Sequence, residues 1–167
     1  MAEIVPGAAV SVAVGVNLHT NGMLKRGDGK PFTNGLHLSR SHAGELTISV
    51  MSPAPVGCDC EPVTARPPEV WRDLLGAGGF ALAELVAREG GEPLEAAATR
   101  VWCAIEAVKK AGVRHDIGIV LATPQEPRSA ASGWVVLGAG AARIATLVAP
   151  VAGFTDPVAF AVLVAGQ

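Results

Sequence analysis

Carboxylates alternate with thiols in the run Gly57-Cys58-Asp59-Cys60-Glu61, and a third carboxylate, Glu106, stands about forty residues later in Trp102-Cys103-Ala104-Ile105-Glu106-Ala107-Val108-Lys109-Lys110-Ala111-Gly112. In an extended backbone successive side chains point to opposite faces, so Asp59 and Glu61 share one face while Cys58 and Cys60 take the other. Carboxylate oxygens from a strand and a helix could together hold a hard divalent cation such as Mg²⁺, which prefers oxygen and keeps positions open for phosphate and water. Trp102, Glu106 and Lys110 are spaced four apart, drift by about 40° per step around a helix axis and so share a face. An ordinary i,i+4 ion pair between Glu106 and Lys110 is the structural alternative for that helix taken alone. The presence of Asp59 and Glu61 tips the reading toward a ligand set.

Other residues with chemical potential read more plainly. Cys58, Cys60 and Cys103 with a histidine are zinc-ligand types, but the alternation favours a buried cysteine pair that packs as small hydrophobes. Gly138-Ala139-Gly140 has the look of a dinucleotide fingerprint, yet Arg143 and the strand-like Ile144 to Val148 that follow make it a hairpin turn. His19, His37 and His115 are isolated. Trp71, Trp102 and Trp134 read as packing residues, and neither Ser39 nor Ser132 has the strand-turn-helix setting of a serine nucleophile.

Such residues need a rigid frame. At 167 residues and 50% hydrophobic content the chain can bury one proper core. A formal net charge of -2 without a basic run argues against nucleic-acid and anionic-membrane partners. The apolar runs fall short of the roughly 18 residues of a membrane span. Met1-Ala2-Glu3 lacks the positive start of a secretory signal, and three cysteines at unrelated spacings make no disulfide framework, so a reducing cytoplasm is expected.

Alternation predicts a strand over Ala8 to Leu18, an exposed loop over Met23 to Pro31, an extended stretch over Gly35 to Ser39 leading into an Arg40 to Gly44 loop, and strands over Glu45 to Met51 and Gly57 to Glu61. Pro67 and Pro68 start a helix through about Leu75, which Gly76, Gly78 and Gly79 stop. A second helix spans Phe80 to Arg88, and Pro93 opens a third with Leu94, Ala97, Val101, Ile105 and Val108 as its buried stripe and Gly112 as its stop. From Asp116 the pattern is extended again, over Ile117 to Leu121, Trp134 to Leu137, Ile144 to Val148 and Val158 to Val164. The sum is an α+β domain, a mostly antiparallel sheet with about three inserted helices. It forms one compact unit, with an N-terminal strand and loop extension over 1–34 and the main domain over 35–167.

Ser41-His42-Ala43-Gly44, Gly57 to Glu61 and Trp102 to Gly112 resemble, in order and spacing, the three signatures of the 4′-phosphopantetheinyl transferases: a Ser-His-Ser-Gly-like loop, a Gly-Val-Asp-Ile-Glu-like strand and a Trp-x-x-Lys-Glu-Ala-x-x-x-Lys-like helix. The chain looks most like the transferase domains at the C-terminal end of bacterial iterative polyketide synthases of the enediyne type, and so like an excised domain of antibiotic biosynthesis. The resemblance implies transfer of the 4′-phosphopantetheine arm of coenzyme A to a serine of an acyl carrier protein or carrier domain. It implies Asp59, Glu61 and Glu106 as Mg²⁺ ligands, Glu106 and Lys110 as catalytic residues, and Arg40, Ser41, His42 and Lys110 as contacts of the coenzyme phosphates. Ile105 stands where the family has lysine, and Lys109 or Arg100 is the nearest cation to stand in for it. Only about forty residues precede the Ser-His segment, which resembles the short, trimeric members and implies a homo-oligomer. The alternative to an enzyme is a noncatalytic remnant of the fold, kept as a docking or structural module of a polyketide synthase.

Overall fold

A computed structural model of the chain describes residues 24–25, 31–32, 36–113, 118–122 and 133–164. The strand expected over Ala8 to Leu18 and the boundary between residues 34 and 35 lie outside the described residues. Strands β1 (Leu24–Lys25) and β2 (Pro31–Phe32) pair antiparallel, so the segment expected as a plain loop is flanked by a short strand pair. Strands β3 (His37–Ala43) and β4 (Leu46–Ser52) form a hairpin that turns through Gly44-Glu45, with Ala43 paired to Leu46. The Ser41-His42 segment, expected as a loop, is thus the end of a strand. Its polar residues are compatible with that because Ser39, Ser41 and Ala43 turn inward while His42 is exposed.

Strand β5 (Val56–Pro62) is followed by helices α1 (Pro68–Gly90) and α2 (Leu94–Ala111). Then come β6 (Ile119–Leu121), β7 (Trp134–Ala139), β8 (Ala142–Ala149) and β9 (Val158–Val164). β5 to β9 make one antiparallel sheet in the order β5-β9-β8-β7-β6. The fold is α+β. The span α1 joins two helical segments across a kink: Gly76, with a non-helical φ of 69° and ψ of 170°, interrupts the helix where the sequence places a stop, and the chain resumes helix directly after it. Gly78 and Gly79, expected as helix stops, lie within α1, where packing against α2 outweighs their low intrinsic propensity.

Both helices cover one face of the sheet. Val101 and Ala104 of α2 meet Leu137, Ile144 and Leu163 there, with Trp71, Phe80 and Val86 of α1 in the same core. α2 is wedged between α1 and the sheet, so its buried surface is broader than the expected stripe and rich in alanine, and Leu94 and Ile105 sit only at its border. On the opposite face the β3–β4 hairpin packs Ile48 and Val50 against Cys58, Cys60 and Val158. The hairpin also caps the open edge of the sheet, since the Ser39 hydroxyl accepts the Cys58 backbone N–H at 2.9 Å. The Gly138 to Gly140 segment is the β7–β8 hairpin, with Ala139 paired to Ala142.

Candidate functional site

The site begins at Gly57. A Cβ there would lie 1.9 Å from the Ala107 carbonyl oxygen and 2.9 Å from the Ala111 backbone nitrogen, so the backbones of β5 and α2 touch. Only glycine allows that approach. Strand alternation then carries Asp59 and Glu61 to the same side as Gly57, toward α2, and sends Cys58 and Cys60 to the hairpin side.

Asp59 is almost fully buried at 3% exposure. Its Oδ1 accepts the Ser41 hydroxyl at 2.7 Å and the Lys110 ammonium at 2.7 Å, and Lys110 Nζ also reaches Ser41 Oγ at 3.1 Å. Oδ2 of Asp59 is buried without a hydrogen-bond partner; the neighbouring Cys103 thiol directs its S–H to the Ala159 carbonyl at 3.7 Å. Burial pushes the Glu61 carboxyl up from its ordinary range and the Asp59 carboxylate adds to that, while Lys110, Arg66 and His42 pull it down. Glu106 Oε1 accepts Lys109 Nζ at 2.6 Å, one turn along α2, and the Lys109 ammonium lies 5.5 Å from the centre of the Trp102 ring. The i,i+4 pair between Glu106 and Lys110 therefore does not form: Lys110 crosses to the sheet and Lys109 takes its place.

Arg40, Ser41 and His42 from β3, Asp59 and Glu61 from β5, and Trp102, Glu106 and Lys110 from α2 line one open cleft of about 500 Å³. The structure thus brings every sequence-predicted site residue to one place. Three residues named from the sequence have partners that fix their direction. Ser41 is 7% exposed and spends its hydroxyl on Asp59 and Lys110, inside the wall rather than at the mouth. Arg40 Nε donates to Ser49 Oγ at 3.0 Å across the hairpin. Arg100 does not reach the cleft to replace the family's lysine: it is 1% exposed, held by Glu92 at 3.0 and 2.6 Å, by Thr146 at 3.1 Å and by the Gly133 carbonyl at 3.3 Å. A buried guanidinium must have its donors satisfied, and Glu92 with the β8 hydroxyl satisfies them away from the site. Trp102, read from sequence as packing, also lines the cleft.

The orphaned Asp59 Oδ2 and the mutual repulsion of Asp59 and Glu61 suit a hard cation. Glu106 is engaged by Lys109, and among the described residues no group of three His, Cys, Asp or Glu side chains is gathered closely enough to hold a metal ion. Asp59 and Glu61 both face the cleft, and Glu106 would have to release Lys109 to join them as a third carboxylate ligand of a cation. The thiols do not form a zinc cluster: Cys58 and Cys60 belong to the hairpin core and Cys103 to the helix core. Burial pushes the Cys60 thiol up to about 11 and holds Cys58 and Cys103 above their ordinary range.

Among the described residues no helix is long and apolar enough to cross a membrane. No protein-family model matches the chain, and no curated protein matches it significantly.

Proposed function

We propose that the protein is a 4′-phosphopantetheinyl transferase that moves the arm of coenzyme A onto a serine hydroxyl of an acyl carrier protein or carrier domain in the cytoplasm. The observation that carries this reading is the meeting of two strand carboxylates, a helix carboxylate and a lysine with Ser41 and His42 around one cleft. The motif resemblance suggests the reaction, and the gathering of those residues around one cleft supports it.

In that reaction the carrier serine oxygen forms a bond to the pantetheine-bearing phosphorus as the bond from that phosphorus to adenosine 3′,5′-bisphosphate breaks. The serine proton passes to Glu106, whose side chain is partly exposed at the cleft. Lys110, about a third exposed, offsets charge on the departing phosphate, and exposed His42 with Arg40 holds the coenzyme phosphates. Asp59 Oδ2, Glu61 and Glu106 are the groups that would hold Mg²⁺, which when bound supplies Lewis-acid neutralisation of the diphosphate. Ser41 acts on Asp59 and Lys110 as a positioning residue, not on phosphate. Because the cleft is open, a second or third copy of the chain would complete the coenzyme site, as in the short trimeric members the sequence resembles.

A noncatalytic docking module is favoured by one observation: lysines already neutralise Asp59 and Glu106, and Ile105 supplies no extra cation. Incubation with coenzyme A, Mg²⁺ and apo carrier domains separates the two. Intact mass of the carrier should gain one phosphopantetheine; no gain over a panel of polyketide carriers, with no coenzyme A binding by calorimetry, assigns the docking role.

A further inference from the structure

Among the described residues the β3–β4 hairpin covers the outer face of the sheet over β5 and β9, where Phe160 and Val162 pack beneath it. The strands beyond carry Leu147 and Ala145 on β8, Trp134 and Val136 on β7 and Val120 on β6. Register makes these one surface. Phe160 pairs with Leu147 and Leu147 with Trp134, Val162 pairs with Ala145 and Ala145 with Val136, and Val120 lies beside Gly138. Val120 is 60% exposed, Trp134 47% and Val136 41%. A contiguous apolar patch on a sheet marks a surface that something covers.

The chain carries a matching surface ahead of β1. Val10, Val12, Val14, Val16 and Leu18 alternate with Ser11, Ala13, Gly15 and Asn17, without a charge among them. At the two-residue period of a strand the branched side chains fall on one side and the small and polar ones on the other. The path is short enough. Ser39 accepts the Cys58 N–H, and the register carries that level through Val162 and Ala145 to Val136, three strand spacings or about 14 Å away. The chain enters β3 two residues before Ser39, from the β1–β2 pair, and residues 19–23, which precede Leu24, reach about 17 Å. β4 lies in the covering layer and among the described residues pairs with β3 alone, which leaves its other edge open to a main-chain partner. We infer that residues 8–18 run as a further strand beside β4 and lay Val12, Val14 and Val16 on Trp134, Val136 and Val120. Charge favours this occupant over a second copy of the chain. A Cβ at Gly138 would lie 3.7 Å from both Arg143 Nη1 and Val120, so two copies meeting on this face would bring their Arg143 side chains into one contact, whereas the uncharged segment meets Arg143 without repulsion.

The test is hydrogen exchange of the full chain read by mass spectrometry, with the molecular mass in solution followed by light scattering. Amides of residues 8–18 should exchange slowly in the wild type. Val136→Glu, at an exposed position of β7, and Val14→Glu, on the segment, should each speed their exchange about tenfold, the equivalent of one buried valine, while peptides from β8 and β9 keep their protection and the molecular mass stays the same. Exchange of 8–18 at the rate of an unfolded peptide in the wild type overturns the inference, and so does protection that survives both substitutions. A fall in molecular mass on Val136→Glu assigns the face to a second copy and overturns it as well. Where Val136→Glu disturbs β7 itself, Trp134 gives the reading from the other side: in Trp102→Phe protein its quenching by acrylamide should rise when Val14→Glu is added, and an unchanged quenching constant overturns the placement.

Discussion

Replacing Gly57 with alanine tests how the site is assembled. The new methyl would sit 1.9 Å from the Ala107 carbonyl oxygen and 2.8 Å from its carbon, both backbone atoms of a helix that cannot step aside by a rotamer change. Relief requires α2 to withdraw from β5 by roughly 1 Å, and overpacking of this kind costs about 1–3 kcal/mol. The same withdrawal stretches the 2.7 Å contact of Lys110 with Asp59 past hydrogen-bond range, and loss of a charged hydrogen bond adds about 1.5–3 kcal/mol. A total loss of about 2.5–6 kcal/mol is therefore expected from one methyl group, a large share of a typical domain's stability. Urea unfolding followed by circular dichroism measures it, and Gly78→Ala provides the control. Nothing lies within 4 Å of a Cβ at Gly78, inside α1, so that change should stabilise by about 0.5–1 kcal/mol. A Gly57→Ala variant within 1 kcal/mol of wild type, about the effect of an average substitution, would refute the claim that α2 rests on this strand.

Glu61→Gln should raise the urea midpoint at pH 7. The folded carboxyl titrates above its ordinary 4.5, so the native state holds that proton more tightly than the unfolded chain, and ionisation at neutral pH works against folding. The gain should vanish below pH 4.5, where both side chains are neutral, and Mg²⁺ should raise the wild-type midpoint more than the variant's. Lys110→Met should cost about 2–3 kcal/mol by leaving buried Asp59 without its cation; a fully buried pair would cost more, and Lys110 is about a third exposed. Adding Asp59→Asn to that variant should recover at least half of the loss in a double-mutant cycle, whereas simple additivity of the two single changes would show that the contact is not energetically coupled.

Much of this arrangement is readable from local rules. The two-residue period of β5 separates Asp59 and Glu61 from Cys58 and Cys60, and it holds whatever packs above the strand. The helical period likewise sets Trp102, Glu106 and Lys110 along one side of α2, and all three line the cleft. Partner choice is not local. Lys110 prefers Asp59 to Glu106 because Gly57 lets the strand and helix touch, a fact of tertiary approach that spacing along one helix cannot contain. Arg100 reads from sequence as a cation available to the site, but its direction is set by Glu92 before α2 and Thr146 on a distant strand. Gly78 and Gly79 read as helix stops by propensity alone, and the contact between α1 and α2 overrides them. The inward-facing Ser39 and Ser41 carry a signal that the sequence reading passes over: small hydroxyls alternating in a strand mark a surface that bonds to another strand's edge and to its carboxylate.

The most direct test is transfer by Glu106→Gln, a change that removes a charge and keeps the shape of the side chain. Intact-mass analysis of an apo carrier domain, incubated with coenzyme A and Mg²⁺, should show phosphopantetheine addition by the wild-type protein and none by the variant, with both proteins unfolding at the same urea concentration. Undiminished addition by the variant would contradict the role assigned to the helix carboxylate, and no addition by the wild type over a panel of carriers would contradict the function itself.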